Sequence, residues 1–414
     1  MAEPRPQIPY FKEFLPTPVC IVLSLFFAMV FQFNGGVFLP AATQMSSALG
    51  CIQEDVTMAG YASFIGMLMV VWICVMCLTR TIRLGKKIPL YGIDWIGLLL
   101  WTVMLFAIVF ICIYGDFYDW LDSVQIRSCI VIAVVSLLIN INRMTSIRHP
   151  YIDPQVFRYK KFPVVLFLFL MLCLFLTTSS VLQNAFMTSI LQYDTLNAIS
   201  LNWCVFAGIL AGAGIVFFRQ AVLKKGYKLL ISAGFTLIVM YQYYMYFLIY
   251  PDLNIESLYL PNFLKGIGHG VLYISLTIYV AKHIPFKHFF QSLCVLSFIR
   301  TSIATPLGSA ILNRWMKHLQ RDNWGLLSRN MDNLHEWMPD VSLMQLYEEV
   351  NTQTMLTSLK ELFGWICLLG TVFLVIVLSY RIWRDRHLAA LKMLHSLPVK
   401  KRYRPSSIHK ISKN

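Results

Sequence analysis

Charge is what this sequence has least of. Only 13% of its 414 residues are charged, whereas a soluble globular domain carries about 25%. Acids are scarcer still, with 20 Asp and Glu against 35 Lys and Arg, and none falls deep within an apolar run. Asp94 and Glu361 come nearest, each at the edge of one. A Walker loop, a zinc signature and a nucleophile elbow are also missing. Nothing therefore marks an ATP-driven pump or a hydrolase, and the chain reads as a non-enzyme with no cofactor or metal. Nearly all of the ten cysteines sit inside apolar runs. Cys74 and Cys77 form a C-x-x-C on an expected membrane helix, without the βαβ context of a thioredoxin-like motif. They read as small packing residues, free of disulfide and metal.

Apolar residues are what the sequence has in excess, at 57% with a mean hydropathy of +0.63. Such a composition calls for a low-dielectric solvent, the lipid bilayer, in which every backbone group must be satisfied within the chain. Ten stretches reach the roughly 20 residues that a helix needs to cross about 30 Å of hydrocarbon. They lie near 17–40, 59–80, 95–114, 126–142, 163–181, 199–218, 229–250, 260–281, 289–312 and 362–381. The first is too long for a cleaved signal peptide and is read as a retained helix. No alternating pattern of a membrane barrel is visible.

Ten spans sort the loops into two sets. One set, at 1–14, 80–92, 143–162, 219–228, 282–288 and 381–414, holds 27 of the 35 Lys and Arg residues. Such asymmetry is the positive-inside rule, so both termini are expected in the cytoplasm and the net charge of +15 needs no nucleic acid. Only 313–361 forms a long loop, on the outer face, with Leu343, Leu346 and Tyr347 spaced as one apolar helical face. It suits either a lid over the bundle or a docking segment for a periplasmic partner. The basic tail, 382–414, reads as an anchor to anionic lipid.

Ionisable groups inside a membrane are functional candidates by default. Lys265 and His269, four residues apart, share one face of the eighth span, and Arg300 lies mid-way along the ninth. Gly266, Gly268 and Gly270 accompany the first pair. They permit local unwinding at a cavity or, as readily, close helix packing. His269 is suited to a proton relay, with a carbonyl-bonded structural histidine as the alternative. Arg300 can hold an anion or tie helices together, and the tie is preferred. Asn34, before Gly35 and Gly36, and Gln183, just past the fifth span, add neutral polar groups to the path. Tyr241, Tyr243, Tyr244, Tyr246 and Tyr250 read as an interfacial belt.

Several of these features, in order, resemble a known family. Tyr91 to Gly97, with Asp94, Trp95 and Gly97 after Lys86 and Lys87, resembles the Asp-Trp-x-Gly opening of a central helix pair in the fourteen-helix drug:proton antiporter branch of the major facilitator superfamily. Phe298, Arg300, Gly308 and Ala310 match that branch's penultimate helix, and Gln353, Glu361 and Phe363 resemble the approach to its last helix. Gly266 and Gly268 resemble the second-half echo of the superfamily's Arg-x-x-Gln-Gly motif, with Asn262 and Lys265 in place of its Arg and Gln.

The resemblance implies an all-α polytopic fold of about ten helices, with a truncated amino-terminal bundle and a complete six-helix carboxyl-terminal bundle. Its parts would be two helices in 1–92, a central pair and loop in 93–162, six helices in 163–381, and the basic tail. It implies proton-coupled efflux of small amphipathic compounds across a bacterial inner membrane. Lys265, His269, Arg300, Asn34 and Gln183 would lie near the path, with Gly266, Gly268, Gly270 and Gly308 at packing or hinge positions. A periplasmic adaptor and an outer-membrane channel are partners by resemblance alone. With about four helices fewer than the family, a homodimer or a non-transporting membrane scaffold are the other expectations.

Overall fold

The computed structural model describes residues 45–62, 65, 94–147, 150–159, 161–193, 197–223, 226–329 and 342–396. The expected first span, nearly all of the second, and Asn34 lie outside them. Among the described residues the regular structure is entirely helical, and eight helices are long and apolar enough to cross a membrane. The chain is a multi-pass helical membrane protein.

The eight helices are α1 (Trp95–Tyr114), α2 (Val124–Ser146), α3 (Phe162–Ser189), α4 (Asn197–Phe217), α5 (Lys228–Leu248), α6 (Tyr259–His283), α7 and α8 (Leu343–Ser396). The seventh, α7, joins Phe286–Phe298, a π-turn at Ile299–Ala304, and Thr305–Arg329. Local sequence sets several starts. Asp94 caps α1 by accepting from the Gly97 amide at 2.9 Å, the ordinary role of an aspartate at this position. A Cβ on Gly97 would lie 2.3 Å from Asp94 Oδ2, so the cap and the glycine three residues on require each other. Pro163 and Pro285 stand at the starts of α3 and α7, where no amide hydrogen is needed.

Contacts between helix ends fix the antiparallel order. Arg143 at the end of α2 pairs with Asp94 at 2.8 Å, and Tyr227 before α5 stacks edge-on against Tyr279 near the end of α6. These ends, with Lys161 and Arg219, form a basic side. At the far side Asp116 pairs with Lys317 at 3.0 Å, and Tyr193 donates to the Leu253 carbonyl.

Helices α3 to α8 form one bundle. At its centre α6 lies between α4 and α5 and also touches α3; α3 packs on α7, and α8 joins α7 to α5. The α1–α2 hairpin leans on the bundle through α1 against α7. Its second helix exposes Val131, Ile132, Val134, Val135, Leu138 and Ile139, an apolar surface suited to lipid.

Within 313–361, read from sequence as a long loop with a helical face at Leu343, Leu346 and Tyr347, the described residues are helical: α7 runs on to Arg329 and α8 begins at Leu343. The two extensions pack as a hairpin, with Asn323 donating to Ser358 Oγ at 3.0 Å and Trp324 against Tyr347 at 5.2 Å. Neither stretch is apolar enough to read as a span, yet each polar helix finds its partner in the other. The expected basic tail is helical at first, because α8 continues to Ser396.

Candidate functional site

Glycine spacing decides how α6 sits. A Cβ on Gly266 would lie 2.3 Å from the Val205 carbonyl, and one on Gly270 would lie 2.8 Å from that of Ile209. From the other side, Gly208 and Gly212 of α4 meet the carbonyls of Phe263 and Ile267 at 2.4 and 2.7 Å. Two small-xxx-small pairs therefore face each other, the arrangement that lets membrane helices approach backbone to backbone. Gly268 points to α5, where an added Cβ would be 3.0 Å from the Gly234 carbonyl. The expected close approach is present, but unwinding is not: α6 is continuous through all three glycines. Gly308 of α7 packs likewise against Thr177 and Leu174 of α3.

With glycines spent on α4 and α5, a different stripe of α6 carries the polar groups. Lys265, His269 and Tyr273 follow at intervals of four, about 6 Å apart along the axis. All three are buried. Lys265 Nζ donates to Asn262 Oδ1 at 2.6 Å and sits 5.2 Å from the centre of the Tyr241 ring. Tyr241 Oη in turn donates to Gln183 Oε1 at 2.7 Å. Lower on the stripe, the His269 ring meets Tyr273 edge-on at 6.2 Å, and the Arg300 guanidinium lies 5.3 Å from the centre of the same tyrosine. The carbonyl bond expected of a structural histidine is not made: His269 has no hydrogen bond among the described residues.

Two π-turns flank this stripe. Ser179–Gln183 interrupts α3 and Ile299–Ala304 interrupts α7, so Gln183 and Arg300 both project from widened turns. Such turns are frequent at functional sites. Each disturbs the backbone ladder and each is patched by a side chain. Gln242 Nε2 donates to the Phe175 carbonyl at 3.0 Å and to Thr178 Oγ1 at 2.6 Å, and Thr305 Oγ1 donates to the Arg300 carbonyl at 2.8 Å.

The structure thus brings together four of the five path residues expected from sequence: Lys265 with Gln183 through Tyr241, and His269 with Arg300 through Tyr273. The fifth, Asn34, is outside the described residues. Gln183 lies within α3, not beyond it. Tyr241 leaves the expected belt, being fully buried, whereas Tyr243, Tyr244 and Tyr250 are exposed as a belt requires. Helical spacing marks Tyr273 as a stripe member, but nothing local marks Tyr241 or Gln242 as core residues among so many aromatics.

A separate cavity of about 650 Å³ opens toward the far side between α5 and α8, lined by Tyr246, Tyr250, Lys360, Glu361, Gly364 and Trp365 among others. It does not include the stripe. No cluster of metal-ligating residues occurs among the described residues.

Fold and stripe together define a class, a polytopic helical membrane protein with a buried, cation-bearing polar stripe. Neither the known protein-family models nor the curated proteins contain a match to this chain.

Proposed function

We propose that the chain is a secondary transporter for amphipathic organic compounds, built as a shortened relative of the drug:proton antiporters of the major facilitator superfamily. The observation that carries this reading is the stripe Lys265–His269–Tyr273 inside a six-helix bundle, faced by Gln183 and Arg300 on interrupted helices. Burying ionisable groups in a membrane costs several kcal/mol, so such groups mark functional positions by default, and a packing role is already filled by the glycines beside them.

Bundle order supports the resemblance. Exchanging α3, α4 and α5 for α6, α7 and α8 carries the α4–α6 contact onto α7–α3 and leaves α3–α6 and α5–α8 unchanged, while the α7–α8 and α5–α6 contacts have no counterpart of like extent. Gly308 then plays at α7–α3 the part that Gly208 and Gly212 play at α4–α6. A swap of this kind is what an internal repeat leaves behind. His269, free of carbonyl bonding among the described residues, is the proton relay of this reading. The basic side faces the cytoplasm of a bacterial inner membrane.

A second reading is a membrane scaffold that no longer transports. It is favoured by the sequence, whose ten apolar runs are about four fewer than the resemblance implies. Proton flux in proteoliposomes under an imposed pH gradient separates the two. With a panel of lipophilic cations, anions and neutral compounds, substrate-dependent proton movement supports the transporter. Silence from well-folded protein leaves the scaffold.

A further inference from the structure

Helices α5 and α8 lie close at mid-bundle and part toward the far side. A Cβ on Gly370 of α8 would be 3.0 Å from Val239 Cγ2, and Tyr243 Oη shares a 2.8 Å hydrogen bond with Thr371 Oγ1. Further toward the far side, a Cβ on Gly364 would only touch the Tyr246 ring, at 3.4 Å. Helix α5 then ends at Leu248, with Pro251 unable to continue it, whereas α8 reaches back to Leu343. The wedge left between them is the cavity of about 650 Å³, within the size range of sites that hold an organic ligand. Two charges of opposite sign line it. Lys360 and Glu361 are neighbours on α8, and both are exposed. Lys360 Nζ lies 5.8 Å from the centre of the Tyr246 ring, and Glu361 Oε2 accepts from Asn323 Nδ2 at 3.4 Å. Each keeps capacity beyond these contacts, because an ammonium has three donors and a carboxylate about four acceptor positions. The pair marks the edge of the span, since no charged residue follows until Arg381. From the cavity an exposed apolar strip, Trp365, Leu368, Val372 and Val375, leads along α8 toward mid-bundle.

We infer that this cavity is a headgroup site for a zwitterionic phospholipid of the far-side leaflet. The phosphate binds Lys360, the ammonium binds Glu361, and one acyl chain lies along Trp365, Leu368, Val372 and Val375. Charge complementarity selects the class. A phospholipid with net negative charge would meet Glu361 with its own sign, and a cationic amphiphile would meet Lys360 likewise, whereas a headgroup carrying both charges suits both residues. Position selects a lipid over a soluble ligand, since the polar end of the cavity sits where the span begins and the apolar end leads into hydrocarbon. Tyr250 and Trp365, which also line it, are residue types enriched at headgroup level. The cavity is apart from the stripe of α6, so the site holds whether or not the chain transports.

Native mass spectrometry of the full chain in mild detergent tests this, with separate titrations of phosphatidylethanolamine, phosphatidylglycerol and the chain-free glycerophosphoethanolamine. The expected result is ethanolamine lipid bound about tenfold tighter than the glycerol lipid, and no adduct of the chain-free headgroup at the same concentration. Glu361→Gln should weaken the ethanolamine lipid and strengthen the glycerol lipid, because it removes both a partner for the ammonium and a repulsion of the anion. A merely structural role for Glu361 would move the two lipids together. Lys360→Gln should weaken both, since both carry the phosphate. Equal affinity for the two lipids, a preference for the glycerol lipid, or lipid binding unchanged in either variant would overturn the inference. Chain-free headgroup bound as tightly as the lipid would overturn it too, in favour of a soluble ligand. Both side chains are exposed, so the variants should fold; if they do not, the wild-type order of affinities decides alone.

Discussion

Tyr241 Oη donates a 2.7 Å hydrogen bond to Gln183 Oε1, while its ring lies 5.2 Å from Lys265 Nζ. One side chain thereby ties α5 to the π-turn of α3 and supports the only lysine in the bundle core among the described residues. Tyr241→Phe keeps the ring and deletes the bond. It should lower stability by about 1 kcal/mol, the usual worth of a side-chain hydrogen bond between membrane helices, read as a lower melting temperature in detergent. Tyr241→Leu removes the ring face as well and should cost more. Equal effects of the two would deny the ring its role beneath Lys265.

Gly212 and Gly214 lie two residues apart on α4 and predict opposite outcomes. A Cβ on Gly212 would be 2.7 Å from the Ile267 carbonyl, whereas one on Gly214 meets nothing within 4 Å. Gly212→Ala should force α4 from α6 and lower the melting temperature. Gly214→Ala should be neutral or stabilising by up to about 1 kcal/mol through helix propensity. Thermal unfolding of the two variants side by side measures the contrast.

Asp94 has two tasks, capping α1 and pairing with Arg143. Asp94→Asn retains a good cap and loses the charge; Asp94→Ala loses both. The difference between them, about 1 kcal/mol, is the cap. A double-mutant cycle with Arg143→Gln isolates the ion pair, and Asp94→Asn should show no further loss on that background.

Asp116 lies just past α1, where burial alone would raise its carboxyl. Donation from Trp120 at 2.8 Å, the Lys317 ammonium at 3.0 Å and the nearby Arg314 outweigh burial and hold it below the ordinary aspartate value. A depressed value means stability that is present above the unfolded-state value, about 4, and lost as pH falls through the folded one. Wild type should therefore lose stability in this acid range relative to Asp116→Asn, in which the titration is absent. Melting temperatures from pH 6 downward, to about pH 3, give the comparison, and parallel curves would rule out the clamp.

The extensions of α7 and α8 make a prediction for residues 313–329 and 343–361. As paired helices their amides should exchange slowly with deuterium, as helical residues do and loop residues do not. Asn323→Ala, which removes the bond to Ser358, should speed exchange in both stretches together.

Sequence alone placed the eight described helices that are long and apolar enough to cross a membrane. Hydrophobic length is a local property, so 95–114 in the sequence and Trp95–Tyr114 in the structure coincide. Helical spacing likewise placed Lys265 and His269 on one face, and the cost of burying charge singled them out with Arg300. Three things needed the tertiary structure. The polar extensions 313–329 and 343–361 become helices only because each covers the other, and composition does not record a partner. Tyr241 differs from Tyr243 and Tyr244 by its direction about the α5 axis, which is set by which neighbour α5 packs against. The glycines of α6 became packing surfaces when Val205 and Gly234 proved to lie against them. Sequence shows what an approach would permit, and only the packed bundle shows which backbone made it.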